Sequence, residues 1–239
     1  MKSIKYIYQL GLFLSLLVIG TSCRDEAKSP IPTWEPGMHG FGQFVLPNGS
    51  LIPLETNNNF VQQPAIDQQI FFRASNLAAS SVRMSIKPIS VDSKLEAEKI
   101  DLFVKMYEEY TDKDGNPKVA LHGISNDVGL YIAQGQKFAT LTGLANRTAG
   151  QVTLTATQAY ELLKNVTFDY GDGKGKVSVF GKRASRNFLP GDELEVSWAI
   201  TGKNGLLYNS WSGVYICSGS SATGGEVVGI NCFLRWSVQ

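Results

Sequence analysis

The sequence has few of the side chains that carry out most enzymatic chemistry. It contains two histidines and three cysteines in 239 residues. His39 and His122 are far apart, and neither belongs to an HExxH zinc motif, a paired-cysteine zinc pattern or a Gly-x-Ser-x-Gly elbow. Each histidine is therefore interpreted as a structural or surface residue. The sequence predicts no catalytic residue, no metal site and no cofactor, and we expect a protein that is not an enzyme.

The chain also lacks an excess of charge of either sign. Its 22 lysines and arginines are balanced by 21 aspartates and glutamates, which gives a net charge of +1. No run of basic residues stands out. Because nucleic-acid binding relies on clustered Lys and Arg side chains, nucleic acid is not expected as a partner.

A hydrophobic run long enough for a conventional membrane span is missing too. The apolar stretch 7–22 follows two lysines and ends in small polar residues, whereas a spanning helix needs about 20 mainly apolar residues. This layout is typical of an export signal that is cleaved. Residues 20–22 before Cys23 resemble a lipobox, so residues 1–22 are predicted to be a lipoprotein signal peptide and Cys23 the lipidated residue. The alternative is an ordinary secretory signal followed by a chance cysteine.

The residues after Cys23 indicate where the protein is held. Asp25 and Glu26 place two acids behind the cysteine, and this resembles the short acidic export tag of surface-exposed lipoproteins of the Bacteroidetes. We expect a lipid anchor in the outer membrane, with the protein facing outward. Residues 27–36 contain three prolines, and proline-rich chain is extended and semi-rigid. Residues 23–37 are therefore predicted to be an acylated tether.

Once Cys23 is assigned to lipid, Cys217 and Cys232 are the remaining cysteines. An oxidising exported compartment allows them to form a disulfide. A bridge closing a loop of about 15 residues would stabilise the fold by about 3 kcal/mol in the chain-entropy description. Two alternatives stay open: a disulfide, or two reduced cysteines packed as small apolar residues.

Short alternating runs bounded by Gly, Asn, Asp and Pro predict a fold made of strands. Apolar and polar side chains alternate in residues 100–107 and again in residues 193–201. Trp198 falls on the apolar face of the second run, which favours a position in the core. Pro-Asn-Gly at 47–49 and Asp-Gly at 114–115 predict tight turns between strands.

One helix is predicted, over residues 153–165. Thr155 can cap it with Gln158 three residues later, as in a capping box, and apolar residues follow at helical spacing. About nine or ten strands and one short helix predict an all-β, immunoglobulin-like β-sandwich over residues 38–239. An alternative is a subdivision of this region near residues 93–99.

One aspartate-rich segment has some features of a calcium-binding loop. Asp112, Asp114 and Asn116 place oxygen ligands at alternating positions, but Gly115 falls before the third ligand, unlike the glycine of an EF-hand. A solvated hairpin turn is the favoured interpretation. Residues 169–173 are likewise interpreted as a turn.

A family resemblance appears from residue 100 onward. Its elements are KIDLFVKMYEEYTDKDGNP, the capped helix TATQAYELL, FLPGDELEVSWAITGKNGLLY and a cysteine-bearing aromatic strand at the end. With the leader and the WEPG after the tether, this resembles the SusE-like group of β-sandwich lipoproteins encoded beside outer-membrane nutrient-uptake pairs of Bacteroidetes. The resemblance implies an accessory role next to a TonB-dependent transporter and its SusD-like lipoprotein lid, commonly with polysaccharide capture. It carries over no individual binding residue.

Three residues form the predicted ligand platform: Trp211, Tyr208 and Asn209, in the polar, turn-rich segment LLYNSWSG. A large ring is unfavourable to expose without a use, and the C–H face of a sugar packs well on an aromatic ring. The alternative is a ring folded over the end of the sandwich. The alternative to a binding module is a structural or adhesive surface protein, such as a pilus or matrix component.

Overall fold

Antiparallel strands make up most of the regular structure. The structure is a computed structural model, and it describes residues 37–52, 72–90, 93–123, 135–209 and 233–239. The predicted signal peptide, Cys23 and the tether up to residue 36 lie outside the described residues, as do Trp211, Cys217 and Cys232. Within the described ranges, no helix has the length and apolar character needed to cross a membrane.

Three antiparallel strands form a small sheet. They are β1 (Met38–Phe44), β2 (Ser81–Ser90) and β6 (Gly150–Thr155). β2 lies in the middle, and its register with β1 places Met38 opposite Ser90. Just beyond β1, a bridge joins Val45 to Leu51 around Pro-Asn-Gly, which confirms the tight turn predicted there.

Six strands form a larger sheet. They are β3 (Ala97–Thr111), β4 (Pro117–His122), β5 (Gln136–Thr142), β9 (Glu193–Gly202), β10 (Leu207–Asn209) and β11 (Phe233–Ser237). β3 and β9 pair along most of their length and form the centre of the sheet. The other edge of β3 pairs with β5 near its start and with β4 near its end, while β9 pairs with β11 and β10. The strands predicted at 100–107 and 193–201 are therefore the central pair.

Thr155 begins the predicted helix. Its hydroxyl accepts a hydrogen bond from the N–H of Gln158 at 3.1 Å, which confirms the cap. The helix, α1 (Ala156–Leu163), is shorter than predicted because the residues before it belong to β6. The prediction of a single helix was incomplete, since the structure adds a 3-10 helix (Ala74–Ala79) and a four-residue helix, α2 (Val179–Lys182). Between α1 and α2, β7 (Thr167–Asp169) and β8 (Lys176–Ser178) form a separate hairpin.

The two sheets face each other across one apolar core, which confirms the predicted all-β sandwich. The core includes Ile86 and Ile100, on either side of the alternative boundary at residues 93–99. Trp198 is 1% exposed and belongs to this core, as predicted. β1 presents Gly40 and Gly42 to its ring, and a Cβ added at Gly40 would lie only 1.9 Å from the indole Nε1. The ring therefore lies directly against the backbone of β1.

The two ends of the sandwich are built differently. At one end, here called the open end, Met38 begins β1 beside the end of β2, the segment 93–97, the loop 143–149 and the turn 203–206. At the other end, here called the capped end, the β3–β4 turn, the β7–β8 hairpin and α2 meet. The predicted platform segment starts at the open end.

Candidate functional site

Of the predicted platform residues, Tyr208 is the one whose side chain the structure describes. Tyr208 lies in β10 and is half-buried, and its hydroxyl accepts a hydrogen bond from Asn204 Nδ2 at 2.8 Å. Asn209 contributes its backbone to β10, but its side chain and Trp211 fall outside the described residues. The platform as a whole therefore stays a prediction.

A cavity of about 330 Å³ opens beside this turn at the open end. Its lining residues are Ser93, Leu95, Glu96, Ala97, Gly143, Leu144, Ala145, Asn146 and Lys203. Leu95 and Leu144 give it an apolar part that packs against the core. Glu96 and Lys203 form an exposed ion pair on its lining. The cavity thus combines an aliphatic surface with one carboxylate acceptor and one ammonium donor.

Asn146 fixes one wall of the cavity to the end of β2. Its side-chain oxygen accepts the N–H of Ser90 at 2.8 Å, and its Nδ2 donates to the Ser90 carbonyl and to Ser93 Oγ, both at 3.0 Å. Next to it, Arg147 takes a left-handed backbone conformation with φ of 63°, and its N–H donates to the Pro88 carbonyl at 2.8 Å. Because the amide of Asn146 is occupied by these bonds, its role is to shape the site.

The opposite wall carries the charges. The backbone N–H of Lys203 donates to the Glu96 carbonyl at 2.9 Å, which joins the β9–β10 turn to the start of β3. Hydrogen bonding to Lys203, and its positive charge, lower the pKa of the Glu96 carboxyl. Glu96 is therefore anionic at neutral pH, and the pair can offer both an acceptor and a donor to a polar ligand.

The capped end contains a buried charge cluster that sequence reasoning missed. Glu108 Oε2 lies 3.0 Å from His122 Nε2 and accepts the Tyr170 hydroxyl at 2.5 Å, while Oε1 accepts Arg183 Nη2 at 3.1 Å. Arg183 in turn forms a two-pronged pair with Asp192 at 2.6 and 2.7 Å. All five side chains are buried. His122 is therefore a buried residue of this cluster and not a surface histidine, and its structural role stays a prediction.

These contacts set the ionisation of Glu108. Burial alone would raise the pKa of its carboxyl, but hydrogen bonds from His122 and Tyr170 and the charges of Lys182 and Arg183 lower the pKa to about 2. Burial and the bond to Glu108 raise the pKa of the Tyr170 hydroxyl, which stays protonated and donates. The cluster joins β3, β4, the β7–β8 hairpin and the segment after α2, so we assign it a structural role.

A second buried ion pair lies on the outer face of the large sheet. Lys105 Nζ is 2.8 Å from Glu195 Oε1, on the neighbouring central strand. Glu195 Oε2 also accepts Arg235 Nη2 at 2.6 Å and the Tyr107 hydroxyl at 3.0 Å. The Arg235 guanidinium stacks over the Tyr107 ring, 4.2 Å from its centre. This group links β3, β9 and β11 across the sheet.

The aspartate-rich segments are turns, as predicted. The Asp112 carboxylate accepts the N–H groups of Asp114 and Asn116 at 2.9 and 2.8 Å, and Gly115 takes the positive φ of 84° that a tight turn requires. Residues 170–175 likewise connect β7 and β8. Across the described ranges, no group of three or more His, Cys, Asp or Glu side chains is arranged to hold a metal ion.

No protein-family model matches the chain, and a search of curated proteins finds no match. The resemblance to SusE-like lipoproteins therefore stays a prediction from the sequence. The cavity at the open end is the feature of the described residues best suited to a ligand, because it is concave and combines apolar and polar groups.

Proposed function

We propose that the protein is a surface-exposed lipoprotein that acts as a non-catalytic accessory binding module of a glycan or nutrient uptake system. The proposed anchor is an acylated Cys23 in the outer membrane. The proposed partners are a TonB-dependent transporter, its SusD-like lipoprotein and a polysaccharide. The observation that carries the binding role is the cavity at the open end.

The cavity suits a small neutral polar ligand. Its volume of about 330 Å³ falls at the lower end of the range of roughly 300–1,000 Å³ that is usual for ligand sites. Hydroxyl groups of a sugar can donate to the Glu96 carboxylate and accept from the Lys203 ammonium, while the C–H surface of the ring packs on Leu95 and Leu144. Since the two charges balance, a neutral sugar unit fits better than a charged ligand.

Its position on connecting segments also supports a binding role. Of the three segments that line it, one precedes β3, one joins β5 of the large sheet to β6 of the small sheet, and one joins β9 to β10 within the large sheet. Connections between strands commonly carry binding residues on a rigid scaffold. Asn146 holds one of them rigid through its three hydrogen bonds. A preorganised wall lowers the entropy lost when a ligand binds.

Binding of the purified protein to polysaccharides, measured by calorimetry or affinity electrophoresis, tests this proposal. Glu96→Gln and Lys203→Met should each weaken binding about tenfold, because each removes one hydrogen bond to a charged group. Glu161→Gln is the matched control, since Glu161 is also exposed and paired with a lysine but lies on α1.

Three further results decide the proposal. Radiolabelled palmitate should be incorporated into the wild-type chain but not into a Cys23→Ala variant, and the wild type should co-purify with a transporter. Binding to no polysaccharide together with no transporter contact would contradict an accessory binding role. Polymerisation of the mature chain, or donation of a strand to a partner's sheet, would instead indicate an adhesive or structural protein.

A further inference from the structure

The apolar part of the cavity at the open end is aliphatic. Leu95 and Leu144 are half-buried on its lining, and Ala97 is buried. Among the described residues that line the cavity none is aromatic, so this lining lacks a flat ring on which the C–H face of a sugar would pack. Branched aliphatic side chains instead pack closely around a methyl group. The lining therefore favours a ligand that carries a methyl group of its own.

Ser93 places a hydroxyl group on the same lining. Its Oγ accepts a hydrogen bond from Asn146 Nδ2 at 3.0 Å, and a hydroxyl that accepts one bond can still donate its own hydrogen. The backbone of Ser93 is left-handed, with φ of 57°, a conformation that is uncommon for residues other than glycine. Asn146 thus holds an exposed serine in an unusual conformation at the site, where its O–H can donate to a carbonyl oxygen of a ligand.

Glu96 and Lys203 are paired with each other, and a ligand does not have to separate them. A carboxylate has roughly four acceptor positions and an ammonium group several donors, so the bond between them leaves both with unused capacity. Because Glu96 is anionic and only accepts hydrogen bonds, it matches an N–H group of a ligand. A ligand with a net charge would compete with the existing pair, whereas an uncharged amide adds a bond to it.

We propose that the cavity binds a 2-acetamido sugar unit, in which an N-acetyl group replaces one hydroxyl of the ring. This inference rests on the proposed function and specifies its ligand. The methyl group packs on Leu95 and Leu144. The amide N–H donates to the Glu96 carboxylate, and the amide carbonyl accepts from the Ser93 hydroxyl. In a trans amide the N–H and C=O groups point in opposite directions, which suits an acceptor and a donor on opposite walls.

Two trisaccharides of the same length and linkage test this selectivity. Chitotriose carries an acetamido group on each unit, and cellotriose carries a hydroxyl at the same position. Calorimetry with the purified protein should show that chitotriose binds about tenfold tighter, because its methyl group leaves water and its amide gains hydrogen bonds. The corresponding glucosamine trimer lacks the acetyl group and should bind no tighter than cellotriose. If chitotriose binds no tighter than either of the other two, the proposal is wrong.

Ser93→Ala places the selectivity in the cavity. The variant loses the donor to the amide carbonyl, so it should reduce the preference for chitotriose over cellotriose about fivefold. Ser185→Ala is the matched control, because Ser185 is also an exposed serine but lies in the segment after α2. It should keep the preference of the wild type.

Leu144→Asn tests the methyl contact. It should also reduce the preference for chitotriose about fivefold, because the amide side chain packs poorly on a methyl group. Leu189→Asn is its control, since Leu189 is an exposed leucine after α2. Leu144 is half-buried, so urea denaturation should accompany the measurement, and Ser93→Ala decides the question if Leu144→Asn folds poorly. A preference that Ser93→Ala and a folded Leu144→Asn both retain would arise outside the cavity and would overturn the proposal.

The two proposals can fail separately. Equal affinity for chitotriose and cellotriose would leave a binding module in place and refute only its selectivity for acetamido sugars. Binding to no polysaccharide, together with no transporter contact, would contradict the accessory binding role itself.

Discussion

At the scale of single residues, the contact between Trp198 and β1 sets a steric limit on the facing positions. Gly40 and Gly42 leave the ring lying on bare backbone, and a Cβ at Gly42 would lie 2.7 Å from the ring. Because Trp198 is buried in a close-packed core, it has no free volume into which to move. Glycine is required here for space, and not for an unusual backbone conformation.

Gly40→Ala should therefore destabilise the fold by about 3 kcal/mol, since overpacking a core forces side chains and backbone to shift. Urea denaturation followed by circular dichroism measures the free energy of unfolding. Gly37→Ala is the control, because the nearest atom to its Cβ would be in His39 at an ordinary 3.7 Å, and it should change stability by less than about 0.5 kcal/mol. Equal stability of the two variants would contradict the described packing.

Single residues also show which positions can be predicted from the sequence and which packing partners cannot. Alternation along residues 193–201 placed Trp198 in the core, but it could not identify Gly40 as its neighbour, because the register between the sheets depends on long-range packing. Glu108 was missed although a signal exists. Val104, Met106 and Glu108 are alternate residues of β3, so all three side chains point to the same, inward face of the sheet. A charged side chain at an inward-facing position indicates a buried partner for that charge.

At the scale of elements, Thr155 divides β6 from α1. Its extended backbone ends the strand, and its hydroxyl satisfies an N–H that the first turn of the helix leaves without a partner. The capping pattern located this boundary from sequence. The strand before it was not predicted, because the alternation in residues 150–155 is short and mostly polar.

Thr155→Ala should lower the free energy of unfolding by about 1 kcal/mol through loss of the cap. Thr157→Ala is the matched control, because Thr157 is exposed inside α1 and alanine is the better helix former. It should leave stability unchanged or slightly higher. The midpoint of urea denaturation measures both changes in the free energy of unfolding, provided that its dependence on urea concentration is the same in all variants. Equal losses of stability in the two variants would show that the hydroxyl of Thr155 does not act as a cap.

The capped end should make the protein sensitive to strong acid. The pKa of Glu108 is about 2 in the fold, below its ordinary value of 4.5. A lowered pKa stabilises the fold fully above pH 4.5, and this contribution, about 3 kcal/mol, is lost as the pH falls toward 2. Urea midpoints measured from pH 6 to pH 2 should fall across that window.

Glu108→Gln separates this effect from the titration of other carboxylates. The variant should be less stable at neutral pH, because it leaves Arg183 with one fewer buried anion. Its midpoint should then fall less than that of the wild type between pH 4.5 and pH 2. Parallel pH profiles for the two proteins would show that Glu108 titrates near its ordinary value.

At the scale of the whole molecule, the two sheets share one core and should unfold together. Side chains before and after residues 93–99 contribute to it. We expect tryptophan fluorescence and far-ultraviolet circular dichroism to give coincident urea transitions, as in two-state unfolding. Two separated transitions would support the alternative subdivision near residues 93–99.

The sequence allowed prediction of the architecture better than of the site. Strand alternation and turn residues are local signals, so the all-β sandwich and its central strands were predictable. The cavity forms where three connections meet, and Leu95, Leu144 and Lys203 are far apart in the chain. A local sequence pattern does not predict which connecting segments meet at one end of a sandwich.

The direction of β1 has a mechanical consequence for an anchored protein. β1 starts at the open end with Met38 opposite Ser90 and runs toward the capped end, where Phe44 lies opposite Met84. Traction through the proposed anchor at Cys23, against drag on the rest of the molecule, would pull this strand along its own axis. Its hydrogen bonds to β2 would then be sheared together instead of broken in succession as in a zipper, so resistance to flow would depend on the whole ladder yielding at once.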